Sequence, residues 1–361
     1  MSGAPYLTGR TRLAGIMGWP VGHSLSPRLH GHWLRRHGID GAYVPLAVPP
    51  DRLEQALRAL PALGFRGCNL TIPHKEAALA VVDRATPLAC RIGAINTVVI
   101  EPDDTLSGDN TDGFGFLANL ADGCPAWRAE AGPAVLLGAG GAARAVTVAL
   151  LDAGAPEVRL LNRTPDRVRK LAAELDGPVA AVPWAERAAA LDGATLLVNT
   201  TSLGMAGQPP LVLSLDALPR TTLVTDVVYT PLITPLLAVA RAHGNPVVDG
   251  LGMLLHQARP GFLAWFGVDP VVDDELRAAV LAAIRARQLP DGEKRRRADF
   301  VIATGLDRRR AVAAIAAIVD AVRGRPGGAW PGRWPPRIGG SNQKCVYIPV
   351  APSGAARHAL R

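Results

Sequence analysis

The sequence predicts an α/β fold, and two observations support this prediction. Strand-like apolar runs alternate with helix-like segments from the N-terminus onward, and a second alternation of the same kind begins near residue 133. Such alternation is typical of largely parallel sheets with helical crossovers. With 361 residues, 48% of them hydrophobic, the chain is long enough to bury two cores, so we expect two domains and a remainder.

The first alternation, at residues 1–113, predicts an α/β domain. Its strands are expected at RLAGIMG, AYVPLAV and GCNLTI, and its helices at SPRLHGHWLRRHG, PDRLEQALRAL and HKEAALAVV. In the first of these helices we expect Ser26 to cap the free N–H groups and Pro27 to lie in the first turn, where its missing donor costs nothing.

The second alternation, at residues 114–249, consists of AVLLGAG, EVRLLNR, PVAAVPW, ATLLVNTTS, TLVTDVVY and PVVDG, with helical segments such as TPDRVRKLAAEL between most of them. This is the pattern of a doubly wound, Rossmann-type sheet. Two helices predicted within residues 250–288 are expected to pack back on the first domain, which would leave a cleft between the two domains.

Composition narrows the functional classes. No apolar run approaches the roughly 20 residues that a membrane span needs, and the N-terminal segment lacks the charged start and apolar centre of a secretory signal. We therefore expect a cytoplasmic protein without a membrane partner. The cysteines have no C-x-x-C pairing, which predicts buried free thiols and neither a disulfide framework nor a metal site; they are Cys68, Cys90, Cys124 and Cys345.

The net charge of +8 belongs to a basic tail at residues 289–361, which holds 14 Lys and Arg against 5 Asp and Glu. The tail contains one apolar helix-like run, AVAAIAAIVDAV, and from Gly324 a Gly/Pro/Trp/Arg segment whose composition predicts partial disorder. A basic tail can attract nucleic acid, but the nearly neutral body makes this the disfavoured alternative.

A glycine-rich turn, GAGGAA, links the first strand of the second domain to a helix of small residues. Gly138 permits the tight turn, Gly140 lets the backbone approach a pyrophosphate, and Ala143 allows the helix to pack closely on the strand. The helix N-terminus then faces the phosphates. Because glycines also serve turns without a ligand, the prediction of a dinucleotide site depends on the next strand as well.

The next strand ends in asparagine and arginine, where an NAD site usually has an acidic residue that binds the ribose 2′-hydroxyl. A carboxylate would repel a 2′-phosphate, whereas Arg163 can form a forked contact with it, helped by the Thr164 hydroxyl. These residues predict NADP. A solvated arginine followed by a helix cap would explain Thr164 but not the missing acid.

Polar side chains recur in the first domain where strands are predicted to end, in GHSLSP, NLTIPHK, GAINT and GDNTDGFG. Singly, each has a structural explanation: a helix cap for Ser26, turns for Asn69 and Asn110, and a surface charge for Lys75. Together, the hydroxyl and amide groups with Lys75 and Asp112 predict a pocket for a small polyhydroxylated anion.

The ordered motifs GHSLSP, NLTIPHK, GAINT, NTDGFG, GAGGAARA, NRT, NTTSLGM and DGLGMLLHQA resemble those of the shikimate dehydrogenase family over residues 10–288. Members of this family reduce 3-dehydroshikimate to shikimate with NADPH, on the route to chorismate and the aromatic amino acids. The resemblance implies a small-molecule substrate, NADP as the cofactor, and a substrate-binding and catalytic domain followed by an NADP-binding domain.

The resemblance also implies roles for individual residues at positions where the motifs match. The catalytic pair would be Lys75 and Asp112. The contacts to shikimate would come from Ser24, Ser26, Thr71, Asn96, Asp112, Tyr229 and Gln257. The cofactor would be held by Gly138, Ala139, Gly140, Gly141 and Ala142 at the pyrophosphate, by Asn162, Arg163, Thr164 and Arg167 at the 2′-phosphate, and by Val227 and Gly250 near the nicotinamide.

Reduction of a ketone requires a hydride donor at the carbon, which the cofactor supplies, and a proton donor at the oxygen. Protonated Lys75 can supply the proton, and Asp112 would orient the amine and accept a substrate hydroxyl. A water molecule could relay the proton instead, and the sequence leaves this open.

Residues 289–325 resemble the C-terminal end of a bacterial dephospho-coenzyme A kinase. That kinase needs a phosphate-binding loop of the form G-x-x-x-x-G-K-[ST], and no Gly-Lys pair occurs anywhere in this chain. We therefore expect a remnant without kinase activity, with an ordinary basic extension as the alternative.

Two other functions stay open. One is a quinate/shikimate dehydrogenase that uses NAD, against which Arg163 argues. The other is a non-catalytic metabolite-binding regulator on the same fold, against which the combination of Lys75 and Asp112 argues. The sequence does not decide the oligomeric state, for which a homodimer is one option.

Overall fold

The computed structural model describes residues 7–286, 300–303 and 345–348. By its internal contacts the chain divides into two units, Met1–Ile284 and Arg285–Arg361. Within the second unit, β13 (Phe300–Ala303) and β14 (Cys345–Ile348) pair antiparallel. β14 lies within the segment that begins at Gly324; the rest of that segment and the apolar helix predicted for the tail lie outside the described residues.

The first sheet is built from six strands: β1 (Arg12–Gly18), β2 (Gly41–Ala47), β3 (Phe65–Leu70), β4 (Arg84–Ala85), β5 (Thr97–Ile100) and β6 (Leu106–Asp109). Their order in the sheet is β2-β1-β3-β5-β6-β4. β1 pairs parallel with β2 and β3, and β4 pairs parallel with β6, whereas β5 is antiparallel to both β3 and β6. The strands predicted for the beginning of the chain correspond to β1, β2 and β3.

The antiparallel hairpin of β5 and β6 is not part of the sequence prediction. The five residues 101–105 connect the two strands; the Glu101 N–H donates to the Thr105 carbonyl (2.9 Å), and Asp104 adopts a left-handed φ of 62°. A connection this short closes a hairpin, because a parallel crossover needs a dozen or more residues.

The helices of the first sheet are α1 (Ser26–Arg36), α2 (Leu53–Ala59), α3 (Pro87–Ile92) and α4 (Asp112–Gly123). The prediction that Ser26 caps α1 is wrong. Leu25 is the N-cap residue, no side-chain capping bond forms, and the Ser26 N–H instead donates to Ser24 Oγ (3.2 Å). The helix predicted over residues 74–82 is reduced to one 3-10 turn, Ala77–Ala80. The Lys75 carbonyl accepts the Ile95 N–H (2.7 Å), and the Leu79 N–H bonds to the Glu76 carbonyl (3.3 Å), three residues back as in a 3-10 turn.

The second sheet is built from β7 (Ala134–Leu137), β8 (Val158–Asn162), β9 (Val179–Pro183), β10 (Leu196–Asn199), β11 (Leu223–Asp226) and β12 (Val247–Val248). All pairs are parallel, in the order β12-β11-β10-β7-β8-β9. Its helices are α5 (Gly141–Asp152), α6 (Pro165–Glu174), α7 (Arg187–Ala190) and α8 (Pro235–His243). Every residue of β7, β10 and β11 is buried, as expected for strands with helices on both faces. The doubly wound sheet is thereby confirmed.

Three further helices return to the first sheet: α9 (Leu251–His256), α10 (Ala258–Phe266) and α11 (Asp274–Ala286). Phe262 of α10 and Leu276 of α11 share one core cluster with Ala14 of β1 and Trp33 of α1. The return of the C-terminal helices is therefore confirmed, but the predicted number of two is wrong, because Gln257 separates α9 from α10. The residue boundaries assigned to the domains stay a prediction.

Two predictions from composition have a structural counterpart. Across residues 7–286 and the two tail strands, no helix combines the length and apolar character that a membrane crossing requires. The expectation of buried thiols is right for Cys68 and wrong for Cys90, which is exposed.

Candidate active site

Lys75 and Asp112 meet between the end of β3 and the start of α4. Lys75 Nζ lies 2.5 Å from Asp112 Oδ2, and the exposed fractions of the two side chains are 22% and 6%. Asp112 is the first residue of α4, where the positive end of the helix dipole favours a carboxylate. Since an ammonium group has three N–H donors, the contact with Asp112 leaves two of them for other acceptors. Lys75 thus retains two N–H donors while its charge is balanced by Asp112.

Asn96 supports the carboxylate of Asp112 from the side opposite Lys75. The side chain of Asn96 is buried, and its Nδ2 donates to Asp112 Oδ1 (2.7 Å). The backbone N–H of Thr111 donates to Asn96 Oδ1 (2.9 Å), and because a backbone N–H can only donate, this bond fixes which end of the amide faces Asp112. Each carboxylate oxygen of Asp112 therefore has its own donor.

Gln257 joins this cluster from the junction of α9 and α10. Thr111 Oγ1 donates to the Gln257 carbonyl (2.7 Å), and Asn96 Nδ2 lies 3.4 Å from Gln257 Oε1. A Cβ placed on Gly115 would lie 2.6 Å from Gln257 Cβ, so α4 can approach this junction only where it carries a glycine. Four of the predicted site residues are brought together here: Lys75, Asn96, Asp112 and Gln257.

The remaining substrate residues of the first sheet lie in the loops that follow β1 and β3. Ser24 accepts the N–H of Ser26, whose side chain is buried. The Thr71 N–H donates to the Met17 carbonyl (2.9 Å). A Cβ on Gly18 would lie 2.4 Å from Thr71 Cγ2. The loops after β1 and β3 therefore pack against each other at the carboxyl edge of the sheet.

The glycine-rich turn follows β7 and begins α5. Gly138 has a φ of 124°, and a Cβ there would lie 2.4 Å from Thr200 Oγ1, so this position requires glycine. Gly140, the N-cap residue of α5, would direct a Cβ into open space. A Cβ on Gly141 would lie 3.9 Å from Lys75 Cδ. The turn thus presents its backbone to an open space that Lys75 borders from the other sheet.

The residues predicted to select the cofactor lie beside this turn. The Gly138 N–H donates to the Leu161 carbonyl (2.8 Å), which places the end of β8 next to the turn. Arg163, Thr164 and Arg167 are exposed, and within the described part of the chain no carboxylate pairs with either arginine. Thr164 occupies the N-cap position of α6 without a side-chain capping bond, so capping does not account for it. Both arginines are therefore available to bind an anion.

Val227, Tyr229 and Gly250 follow β11 and β12. A Cβ on Gly250 would lie 2.8 Å from the Val227 carbonyl oxygen, so these two positions are in close contact. Tyr229, in the loop that follows β11 of the second sheet, packs against the core cluster shared by β1, α1 and α10. This loop therefore contacts the core of the first sheet.

Two buried polar residues next to Val227 are missing from the sequence prediction. Asp226 Oδ1 accepts hydrogen bonds from Asn199 Nδ2 (3.0 Å) and the Val228 N–H (2.9 Å), and its Oδ2 accepts one from Thr234 Oγ1 (2.7 Å). Burial raises the pKa of Asp226 to about 6. Asp226 and Asn199 each end a fully buried strand, and a polar residue at such a position is the signal that would have found them.

A cavity of about 300 Å³ lies at the C-terminal end of α4, away from the residues described above. Two pairs of side chains contact each other in its lining: His256 Nε2 lies 2.8 Å from Asp122, and Arg277 lies 2.6 Å from Asp249. None of the predicted site residues lines this cavity, so we place the chemistry at Lys75 and Asp112 instead.

Comparison with known families gives two adjacent matches. The model described as "Shikimate dehydrogenase substrate binding domain" matches residues 16–98, and the model described as "Shikimate / quinate 5-dehydrogenase" matches residues 127–205. The first match spans Lys75 and Asn96, and the second spans the glycine-rich turn and Arg163.

Individual relatives extend over most of the chain. The shikimate dehydrogenase (NADP(+)) of Paramagnetospirillum magneticum is 62% identical over 276 residues, which are 76% of this chain and 100% of that protein. The enzyme of the same name from Rhodospirillum rubrum is 64% identical over 76% of this chain and 99% of its own length. The solved structure of shikimate 5-dehydrogenase from Thermus thermophilus in complex with NADP(H) and shikimate has a TM-score of 0.67 and 39% identity, covering 76% of this chain and 99% of that one.

Proposed function

The chain belongs to the shikimate dehydrogenase family, and from this premise we propose that it reduces the ketone of 3-dehydroshikimate to the alcohol of shikimate with NADPH, reversibly. As a member of this family it is an NADP-dependent oxidoreductase of the shikimate pathway. The observation that carries the proposal is the 2.5 Å contact between Lys75 Nζ and Asp112 Oδ2 beside the glycine-rich turn.

In this proposal Lys75 donates a proton to the ketone oxygen as the carbonyl carbon is reduced. The Asp112 carboxylate attracts the ammonium group and holds it in place, and Asn96 holds the carboxylate in turn. An ammonium group with two unused N–H donors suits a developing alkoxide, because charge-assisted hydrogen bonds are stronger than neutral ones. Ser24, Ser26, Thr71, Tyr229 and Gln257 are proposed to bind the carboxylate and hydroxyl groups of the substrate.

The cofactor is proposed to lie along the carboxyl edge of the second sheet. Gly138 to Ala142 would face its pyrophosphate with backbone N–H groups at the start of α5. Val227 and Gly250 would border the nicotinamide. When bound, NADPH supplies the hydride that reduces the carbonyl carbon.

The preference for NADP over NAD is proposed to come from Arg163, with Asn162, Thr164 and Arg167 beside it. Arg163 is exposed, unpaired with any carboxylate among residues 7–286, and located at the end of β8. A guanidinium in this position can form a forked, charge-assisted contact with a 2′-phosphate.

The experiment that tests the proposal supplies 3-dehydroshikimate to the purified chain with NADPH or NADH and measures cofactor oxidation and shikimate formation. We expect shikimate to form in the same amount as NADPH is oxidised. The kcat/KM for NADPH should be at least about tenfold above that for NADH. Equal or better turnover of quinate with NAD would favour the quinate/shikimate dehydrogenase. A solved quinate dehydrogenase from Corynebacterium glutamicum in complex with NAD is similar to this chain (TM-score 0.70, 30% identity, 75% of this chain and 99% of that one). No oxidation of either cofactor would favour a non-catalytic regulator.

The proposal also includes a cytoplasmic location, with a homodimer as the assembly to test by light scattering. The relatives cover about three quarters of this chain. For residues 289–325 we keep the proposal of a dephospho-coenzyme A kinase remnant without activity. Phosphorylation of dephospho-coenzyme A with ATP would contradict it. Deletion of residues 289–361 should likewise leave the reduction of 3-dehydroshikimate intact.

A further inference from the structure

We infer that Tyr43, a residue outside the substrate and cofactor sites, is a positioning residue whose hydroxyl aligns Asn96, the amide that holds Asp112. The inference rests on the proposed function, because Asp112 belongs to the proposed catalytic pair and is expected to contact the substrate. Tyr43 lies on β2, two strands away from the end of β3 that leads to Lys75.

The ring of Tyr43 is held in one place. It stacks on the ring of His30 with the centroids 3.9 Å apart and an angle of 4° between the planes. Burial lowers the pKa of His30 to about 3, so this partner is a neutral aromatic ring at physiological pH. Burial also raises the pKa of Tyr43, which keeps its phenol protonated. The Tyr43 hydroxyl is therefore a fixed hydrogen-bond donor.

The register of the sheet brings this hydroxyl to β3. Tyr43 is opposite Ala14 of β1, and Asn69 of β3 is opposite Ile16 of β1, so these side chains project from the same face. The small side chain of Ala14 lets the tyrosine ring cross β1. Tyr43 Oη lies 2.6 Å from Asn69 Oδ1.

The direction of each hydrogen bond in the chain from Tyr43 to Asn96 is determined by a backbone group. Asn69 Nδ2 donates to the Asn96 carbonyl (3.1 Å), which can only accept, so Asn69 Oδ1 must face Tyr43 and accept its proton. Asn69 Nδ2 also donates to Thr97 Oγ1 (3.1 Å), and Thr97 Oγ1 donates to Asn96 Oδ1 (2.9 Å). This is the oxygen that also accepts the Thr111 N–H, and it leaves the Asn96 amide nitrogen directed at Asp112.

The phenol oxygen of Tyr43 acts on Asn96 through Asn69, whose amide nitrogen donates to the Asn96 carbonyl directly and to Thr97 Oγ1. Loss of this oxygen would leave Asn69 Oδ1 without its donor in a buried position and would loosen Asn96, which holds the carboxylate of Asp112.

The test compares Tyr43→Phe with Thr97→Val, which cuts the same chain at another residue and preserves side-chain shape. Leu29→Val is the matched control, because Leu29 is buried in the core cluster that contains Tyr43 but carries no polar group. For each variant, KM and kcat with 3-dehydroshikimate, Kd for NADPH and Tm are measured in the full chain.

We expect Tyr43→Phe to lower kcat/KM for 3-dehydroshikimate by about tenfold, the factor that corresponds to one neutral hydrogen bond, mainly through a higher KM. Thr97→Val should have the same effect, and the double variant should be little worse than either single one, since both interrupt one chain. Kd for NADPH should stay within about twofold in all variants. Leu29→Val should lower Tm without raising KM.

Three outcomes would overturn the inference while the wild-type chain remains active. These are an unchanged KM in Tyr43→Phe, fully additive effects in the double variant, or a KM increase in Leu29→Val as large as that in Tyr43→Phe. Absence of turnover in the wild-type chain would instead refute the proposed function.

Discussion

Lys75 packs against the glycine-rich turn of the other sheet, with its Cδ 3.9 Å from the position that a Cβ on Gly141 would occupy. The proposed proton donor therefore borders the proposed cofactor site directly, while its amine contacts Asp112 at the start of α4. Reduction of a ketone adds a hydride to the carbonyl carbon and a proton to the bonded oxygen, so the two donors must lie close together. The contact between Lys75 and the turn permits this arrangement.

Substitution by alanine is predicted to affect cofactor binding at Gly140 and stability at Gly138. Gly140 has φ −103°, which alanine adopts freely, and its Cβ would meet open space. We expect Gly140→Ala to leave Tm unchanged and to weaken NADPH binding by about tenfold or more, because the methyl group occupies the space into which a pyrophosphate must come. Calorimetric titration with NADPH measures the effect.

Gly138→Ala is the contrasting variant. Its φ of 124° is strained for alanine and its Cβ would lie 2.4 Å from Thr200 Oγ1, so we expect a loss of about 1–3 kcal/mol in the free energy of unfolding. Equal stabilities of the two variants would contradict this assignment of roles.

Arg163→Ala is predicted to reduce cofactor discrimination. Loss of a charge-assisted contact with the 2′-phosphate should lower kcat/KM for NADPH by roughly 10–100-fold, and the value for NADH should change by less than about threefold. The matched control is Arg169→Ala, which removes an exposed arginine of α6 that pairs with Asp166. A parallel loss with NADPH and NADH, or an equal effect of the control, would show that Arg163 does not read the 2′-phosphate.

Asp226→Asn is predicted to change how stability depends on pH. The folded-state pKa of Asp226 is raised to about 6 from 3.8, so the unfolded chain releases this proton first and the residue destabilises the fold progressively as pH rises between these values. The full difference is about 3 kcal/mol. Relative to wild type, the variant should therefore gain about that much unfolding free energy between pH 3.5 and pH 7.5.

Asparagine suits this position because its Oδ1 can accept from Asn199 and the Val228 N–H while its Nδ2 donates to Thr234 Oγ1. Asp192→Asn, at an exposed carboxylate, is the control and should show little change with pH. Parallel stability curves for wild type and Asp226→Asn would rule out ionisation of a buried Asp226.

Much of the fold could be predicted from local pattern, and the exceptions have physical causes. β1 could be predicted residue for residue because six apolar residues follow Arg12 without a break, and the strands of the second sheet because glycines and polar residues end them. The β5–β6 hairpin depends on the short connection between its two strands, and the 3-10 turn at Ala77–Ala80 on the bond from the Ile95 N–H to the Lys75 carbonyl. Helix and strand patterns encode neither.

The candidate site divides in the same way. Lys75 and Asp112 are 37 positions apart, and motif resemblance was enough to connect them. Thr111 acts through a partner 146 positions away, and Tyr43 reads from sequence as one aromatic residue on an apolar strand. Such residues are identified only by the partners that the folded sheet supplies.

The most direct measurement of the central claim is the steady-state reduction of 3-dehydroshikimate by Lys75→Ala with saturating NADPH. If Lys75 donates the proton, kcat should fall about 100-fold or more while KM changes by less than about fivefold, with NADPH binding retained as evidence of an intact fold. A kcat equal to that of the wild-type chain would remove Lys75 from the chemistry and contradict the account.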